Sequence, residues 1–165
     1  MGRFSIKKQL LGLLTWFVLC FAASFVGAMA TFNAADTYSQ LTQPSWAPPG
    51  WLFGPVWTAL YALMAVSVWL VWRQTASKPQ RLALVSFLIQ LVLNGLWSWL
   101  FFAWSLGLGP VINIVLLWIA IAVNIVLFWR VNRVAAVLML PYILWVTFAT
   151  VLNFAMWQLN TELFY

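Results

Sequence analysis

Five long apolar runs separated by short polar punctuation organise the chain. The runs Leu10–Ala30, Leu52–Trp72, Leu82–Trp104, Val111–Trp129 and Val134–Trp157 contain no charged side chain. Each can cross the hydrocarbon of a bilayer, which takes about 20 helical residues at about 1.5 Å rise apiece. The runs are continuous, without the alternation that a barrel wall requires, so they predict helices rather than strands. Inside them the few polar residues recur at helical spacing. Ser86, Gln90, Asn94 and Ser98 follow every fourth position, flanked by Trp97 and Phe101. Asn113 and Asn124 share a face, and Tyr142, Trp145, Ala149 and Asn153 form a third stripe. The pattern predicts an all-α membrane protein, a five-helix bundle in one domain spanning residues 1–165.

Most connections are short, which predicts antiparallel neighbours. The exception is Thr31–Gly50, which holds Tyr38, Leu41 and Trp46 and then Pro44, Pro48 and Pro49. A loop of this length in a compact protein is usually functional or disordered, and this one is too apolar for a solvated linker. It is expected to fold as a lid over one mouth of the bundle. The first run, with its basic start and Ala28-Met29-Ala30, also has the look of a cleavable secretory signal. Its length and the small-residue pairs Ala23/Gly27 and Ser24/Ala28, suited to helix packing, favour an uncleaved first helix.

Composition supports the membrane reading: of 165 residues, 65% are hydrophobic and 6% charged. Soluble domains carry roughly a quarter charged residues. The net charge of +6 does not form a nucleic-acid patch. Arg3, Lys7 and Lys8 precede the first run, Arg73, Lys78 and Arg81 separate the second from the third, and Arg130 and Arg133 separate the fourth from the fifth. All eight bases thus fall on one side of a five-helix arrangement, with the acids Asp36 and Glu162 on the other. The positive-inside bias places the N-terminus in the cytoplasm and the C-terminus outside. A bacterial cytoplasmic membrane is expected, with the mitochondrial outer membrane as the alternative. Cys20 has no partner cysteine, and without His or paired acids neither a metal site nor carboxylate acid–base chemistry is expected.

Candidate chemistry therefore rests on amides and indoles. Polar side chains inside a membrane should face the bundle interior. Cross-helix bonding is explanation enough for Gln90, Asn113 and Asn124, whereas Asn94 and Asn153 lie a turn from large aromatics and are expected at a cavity. Of the 13 Trp, Trp69, Trp72, Trp104, Trp129 and Trp157 mark run ends, as an interfacial belt does. Trp97 and Trp145 lie deeper beside polar positions, where an indole offers a stacking face and one N–H. The segment Pro44 to Tyr61 is the most distinctive. Its prolines hold the backbone extended ahead of a helix in which Pro55 fits the first turn. Trp51 and Phe53 should then stand rigidly at the mouth of the bundle.

These residues resemble a known family. The run Trp46-Ala-Pro-Pro-Gly-Trp51 through Trp57-Thr-Ala-Leu-Tyr61 is similar to the translocator proteins, also called tryptophan-rich sensory proteins or peripheral-type benzodiazepine receptors. So are Leu93-Asn-Gly-Leu-Trp97 with Phe101-Phe102, and Pro141-Tyr142 through Trp145 to Phe148-Ala-Thr-Val-Leu-Asn153. The likeness spans nearly the whole chain. It implies a homodimeric five-helix protein whose cavity, capped by the first loop, binds protoporphyrin IX or a heme-like tetrapyrrole, or isoquinoline- and benzodiazepine-type molecules. The ligand-binding set is then Trp46, Trp51, Phe53, Tyr61, Asn94, Trp97, Trp145, Ala149, Leu152 and Asn153. The cholesterol motif of animal members is disrupted, with Phe154 in place of its Tyr and Gln158 in place of its base.

A receptor or transporter for tetrapyrroles, in transport or stress signalling, is the leading expectation. The alternative is an enzyme that degrades bound porphyrin in light, with Trp51 and Trp145 as redox-active residues. No cofactor is required for the first. Ion-coupled transport is disfavoured because the runs contain no carboxylate.

Overall fold

The computed structural model describes residues 4–31, 38–104 and 108–161. Arg3, both acids (Asp36 and Glu162), and the loop positions 32–37 and 105–107 lie outside the described residues. The elements are α1 (Ile6–Met29), a tight 3-10 turn (Gly50–Leu52) leading into α2 (Phe53–Trp72), and α3 (Lys78–Ser98) prolonged by a wider π turn (Trp99–Ala103). Then come α4 (Gly109–Val131), α5 (Arg133–Leu138) and α6 (Leu140–Leu159). Five stretches are long and apolar enough to span a bilayer, α5 and α6 together making the fifth. No strand occurs among the described residues.

Helix ends depart from the apolar runs for a physical reason. A helix begins where its free N–H groups are capped, not where charge stops. Ser77 accepts from the Gln80 N–H with Pro79 in the first turn, so α3 starts four residues ahead of Leu82 and takes in Lys78 and Arg81. Asn132 caps α5 through the Ala135 N–H, bringing Arg133 inside. The fifth run, expected to be one helix, is two. It breaks at Met139, just before Pro141, whose ring removes a backbone donor.

The spans form a ring whose order is not that of the chain. α1 lies against α2 and α3, α3 packs most extensively on α4, and α4 also contacts α5 and α6. α2 closes the ring through α5, and its approaches to α6 are made by large rings: Phe53 to Trp145 at 5.9 Å and Trp57 to Tyr142 at 6.2 Å between centroids. The tight core, with Met64, Val68, Phe87, Leu117, Ile121, Phe128 and Met139 inaccessible, fills the middle of the bundle and the half nearer the basic end. Leu14, Val18, Val85, Ile89, Val92 and Ile119 point outward, as lipid-facing side chains do.

Polar atoms within the spans are tied to backbone carbonyls of neighbours. Ser67 donates to Ala135 O at 2.7 Å, and Asn113 to Leu93 O at 3.0 Å. Gln80 donates to the carbonyls of Val71, Trp72 and Gln74 and so closes the C-terminal end of α2. The bases at this end lie over indoles, Arg73 on Trp69 and Arg133 on Trp129.

Two small-residue positions on α1 permit its close approach. At Gly27 a side chain would begin 3.2 Å from Ser98 Oγ on α3, and at Gly12 one would begin 2.2 Å from the Trp72 ring. That ring is stacked on Phe4 at 4.6 Å, which opposes its moving aside. Gly12→Leu is therefore expected to cost about 1–3 kcal/mol through overpacking, read as a lower thermal midpoint in detergent. Gly54→Ala, with nothing within 4 Å of the added carbon, should leave the midpoint nearly unchanged. Equal midpoints for wild type and Gly12→Leu would contradict this packing.

Candidate functional site

The two parts of the fifth span pack differently against the second. α5 holds close to α2, whereas the longer α6 keeps its distance from both α2 and α3. Between them, at the end away from Lys7, Lys8, Arg73, Lys78, Arg81, Arg130 and Arg133, lies a cavity of about 420 Å³. Pockets for small molecules are typically about 300–1,000 Å³.

Its floor is a chain of hydrogen bonds joining three spans. Tyr61 OH donates to Asn94 Oδ1 at 2.5 Å, Asn94 Nδ2 donates to Tyr142 OH at 2.5 Å, and Tyr142 OH donates to Gln90 Oε1 at 3.1 Å. With Gln90 and Tyr142 inaccessible and Tyr61 and Asn94 each 4% exposed, the chain is sealed from the bilayer. Such bonds are worth about 0.6 kcal/mol each on average in membrane proteins, so their larger effect is to fix ring orientation.

The walls are aromatic. Trp97 stacks on Phe101 with centroids 5.2 Å apart, and Phe102 meets both edge-on. The π turn after Ser98 makes this possible, because its extra residue per turn carries Phe101 and Phe102 together onto the cavity side. Phe53, Trp57 and Tyr61 line it from α2, with Leu152, Asn153 and Met156 from α6. α1 adds the small residues Ser24, Gly27 and Ala28, and α4 contributes no lining residue. The lining residues that remain exposed (Ala28, Gly50, Gly54 and Thr58) form a rim between the end of α1 and the start of α2.

No lining residue among those described is charged. Asn153 is 3% exposed, and neither its Nδ2 nor its Oδ1 has a protein hydrogen-bond partner among the described residues. The indole N–H of Trp97 is likewise unmatched.

The described part of the first long loop folds against this end. Tyr38 donates to Pro48 O at 3.0 Å, Gln43 Nε2 donates to Tyr38 O, and the Tyr38 ring meets Phe53 edge-on. Burial pushes the Tyr38 phenol above its ordinary pKa, which keeps it a neutral donor. Asn160, just past α6, clasps the loop by both ends of its carboxamide. It accepts the Thr42 N–H at 2.8 Å and donates to Thr42 O at 3.0 Å. Tyr38 and Gly50 thereby join the cavity lining, as a lid would.

Of the residues singled out by the sequence, Phe53, Tyr61, Asn94, Trp97, Ala149, Leu152 and Asn153 line the cavity together. Trp46, Trp51 and Trp145 do not. Trp46 rests edge-on against Phe148, Trp51 is 73% exposed on the 3-10 turn, and Trp145 stands behind Phe53 and Phe148. The sequence reading passed over Trp57, Phe102 and Met156 as site residues and read Ser24/Ala28 as packing alone. Phe102 was beyond reach because regular helical periodicity turns it away from Trp97. Asn160 lies outside the apolar runs and gave no signal.

An uncharged, aromatic-walled chamber at one end of five membrane-length helices defines an integral membrane protein built around an internal binding-type cavity. The chain belongs to the TspO/MBR family, whose model matches residues 16–158. It is similar to the tryptophan-rich protein TspO of Chlorobaculum tepidum, 41% identical over 94% of this chain and 99% of that protein. It is similar also to protein CrtK of Rhodobacter capsulatus, 37% identical over 88% of this chain and 90% of that protein. The human translocator protein is 34% identical over 74% of each chain.

The Asn160 clasp yields a direct test. Asn160→Leu should speed amide hydrogen exchange at Thr42 roughly tenfold, the effect of removing about 1.4 kcal/mol of protection. Exchange within α3 and α4 should not change. Unaltered exchange at Thr42 would mean that the loop is held by other contacts.

Proposed function

We propose that this protein binds a flat, largely apolar molecule of the tetrapyrrole class in the cavity, as a membrane receptor or carrier. The observation that carries the reading is the combination of stacked aromatic walls with a buried Asn153 that no protein group among the described residues satisfies. A packed core has no use for such an amide, since leaving it unpaired costs about 1–3 kcal/mol. The absence of charge from the described wall limits what can enter fully. Carboxylates on a tetrapyrrole periphery remain in water at the open rim while the ring system stacks inside, because burying them unpaired is too costly.

The clustering of bases at the opposite end supports an orientation with the N-terminus in the cytoplasm and the cavity toward the outer face of a bacterial cytoplasmic membrane. The protein acts as a homodimer in this reading, and occupancy of the cavity drives transport or signalling. Isoquinoline- and benzodiazepine-type molecules share the flat apolar shape and occupy the same space. Light-driven degradation is the weaker reading, because Trp51 and Trp145, its expected redox residues, stand off the wall.

The test uses protoporphyrin IX with the protein in detergent. Wild type should show saturable quenching of Trp fluorescence, and Ala149→Trp, which fills the chamber, should weaken binding at least tenfold. Trp118→Phe, whose indole bonds Thr147 away from the cavity, should bind normally. Equal affinity in wild type and Ala149→Trp would remove the cavity as the site.

A further inference from the structure

We propose that the outer face of α3 at the basic end binds an anionic phospholipid, with Lys78 and Arg81 holding its phosphate and the apolar face beyond them seating one acyl chain. The site lies at the opposite end from the cavity and is independent of what the cavity binds.

The spacing along α3 makes the site. Lys78, Arg81, Leu82 and Val85 fall at i, i+3, i+4 and i+7, which is one helical face, and together they line a hollow of about 330 Å³. Ile89 and Val92 continue that face, and all four apolar residues are exposed. From Leu82 to Val92 the stripe runs about 15 Å at about 1.5 Å rise per residue. The hydrocarbon core of a bilayer is about 30 Å thick, so the stripe matches one leaflet and sets both bases at headgroup height. A free phosphate would leave that apolar length unused.

These two bases are available, whereas others at this end are engaged. Arg73 lies over Trp69 and Arg133 over Trp129. Lys78 and Arg81 are exposed, and no acid stands among the described residues to pair with either. A guanidinium fork beside an ammonium suits a phosphodiester, the one giving two directed donors and the other a compact charge. Their apolar stems lie along the hydrocarbon while the charged heads reach the headgroup layer.

A second copy of the chain fits this face poorly. Helices associate in membranes through small residues, and this stripe holds Leu, Val and Ile. A two-fold partner with its helices parallel would also set Lys78 and Arg81 against their own counterparts, like charge on like.

The experiment titrates delipidated full-length protein in detergent with phosphatidylglycerol or phosphatidylcholine of identical chains, counting bound lipid by native mass spectrometry. Wild type should bind one phosphatidylglycerol about twentyfold more tightly than phosphatidylcholine, about fivefold for each base. Lys78→Gln/Arg81→Gln should abolish the preference, at an unchanged thermal midpoint, while leaving phosphatidylcholine bound as before. The single variants should each lose about fivefold, and they decide the matter if the double variant does not fold. Lys7→Gln/Lys8→Gln removes as much charge from the same end and should keep the preference. Equal loss in the two double variants would mean a diffuse attraction to the basic end and overturn the site, as would equal binding of the two lipids to wild type. Displacement of the lipid by inorganic phosphate would reveal an anion site that needs no acyl chain. Lipid that binds only as dimers dissociate would identify the face as a contact between copies. Either result overturns the proposal.

Discussion

Hydrocarbon cannot accept or donate a hydrogen bond, and every polar atom in the spans has had to find an answer to that. Most answers are local. Ser67, Gln80 and Asn113 reach carbonyls on neighbouring elements, and Gln90, Asn94, Tyr61 and Tyr142 satisfy one another in a chain. These bonds settle which faces turn inward. Apolar packing discriminates poorly in a membrane, because lipid tails are as apolar as leucine. Among the described residues the unmatched buried atoms are those of Asn153 and the Trp97 indole on the cavity wall, and Asn124 Oδ1 and the Trp145 and Trp157 indoles off it.

The cavity lies where the fifth span stands off from the second and third. α5 docks on α2, whereas α6, after the interruption at Met139, makes few backbone approaches to α2 or α3. Rings bridge the gap instead. Phe53 and Trp57 on α2 reach Trp145 and Tyr142 on α6 and prop the helices apart. The basic end, where α5 fits closely, is packed solid. The bundle thus has a packed half and a hollow half.

The five spans, their grouping of charge and the inward stripes were legible because each depends on periodicity, and the membrane enforces periodicity strictly. Asn94, Trp97, Ala149 and Asn153 were found in this way and do share one hollow. What escaped was whatever depends on departures from the regular helix. Phe102 reaches the wall through the π turn, and the two-helix nature of the last span turns on where Pro141 falls relative to Met139. Trp51 was expected at the mouth because prolines stiffen its segment. Phe53, expected there with it, lines the cavity, whereas Trp51 lies exposed on the 3-10 turn between Gly50 and Phe53 and is not part of the lining. Stiffness fixed the backbone there without fixing which ring faces in.

The rim of the chamber is built from Ala28, Gly50, Gly54 and Thr58, none of which has a long side chain. Its aperture is therefore set by the spacing of two helix backbones and not by rotamers. On the proposed reading, a ring system entering here meets only short side chains among the described residues, and its entry depends on how α1 and α2 breathe against each other. The same small-residue contacts that let α1 approach its neighbours then also set the width of the entrance.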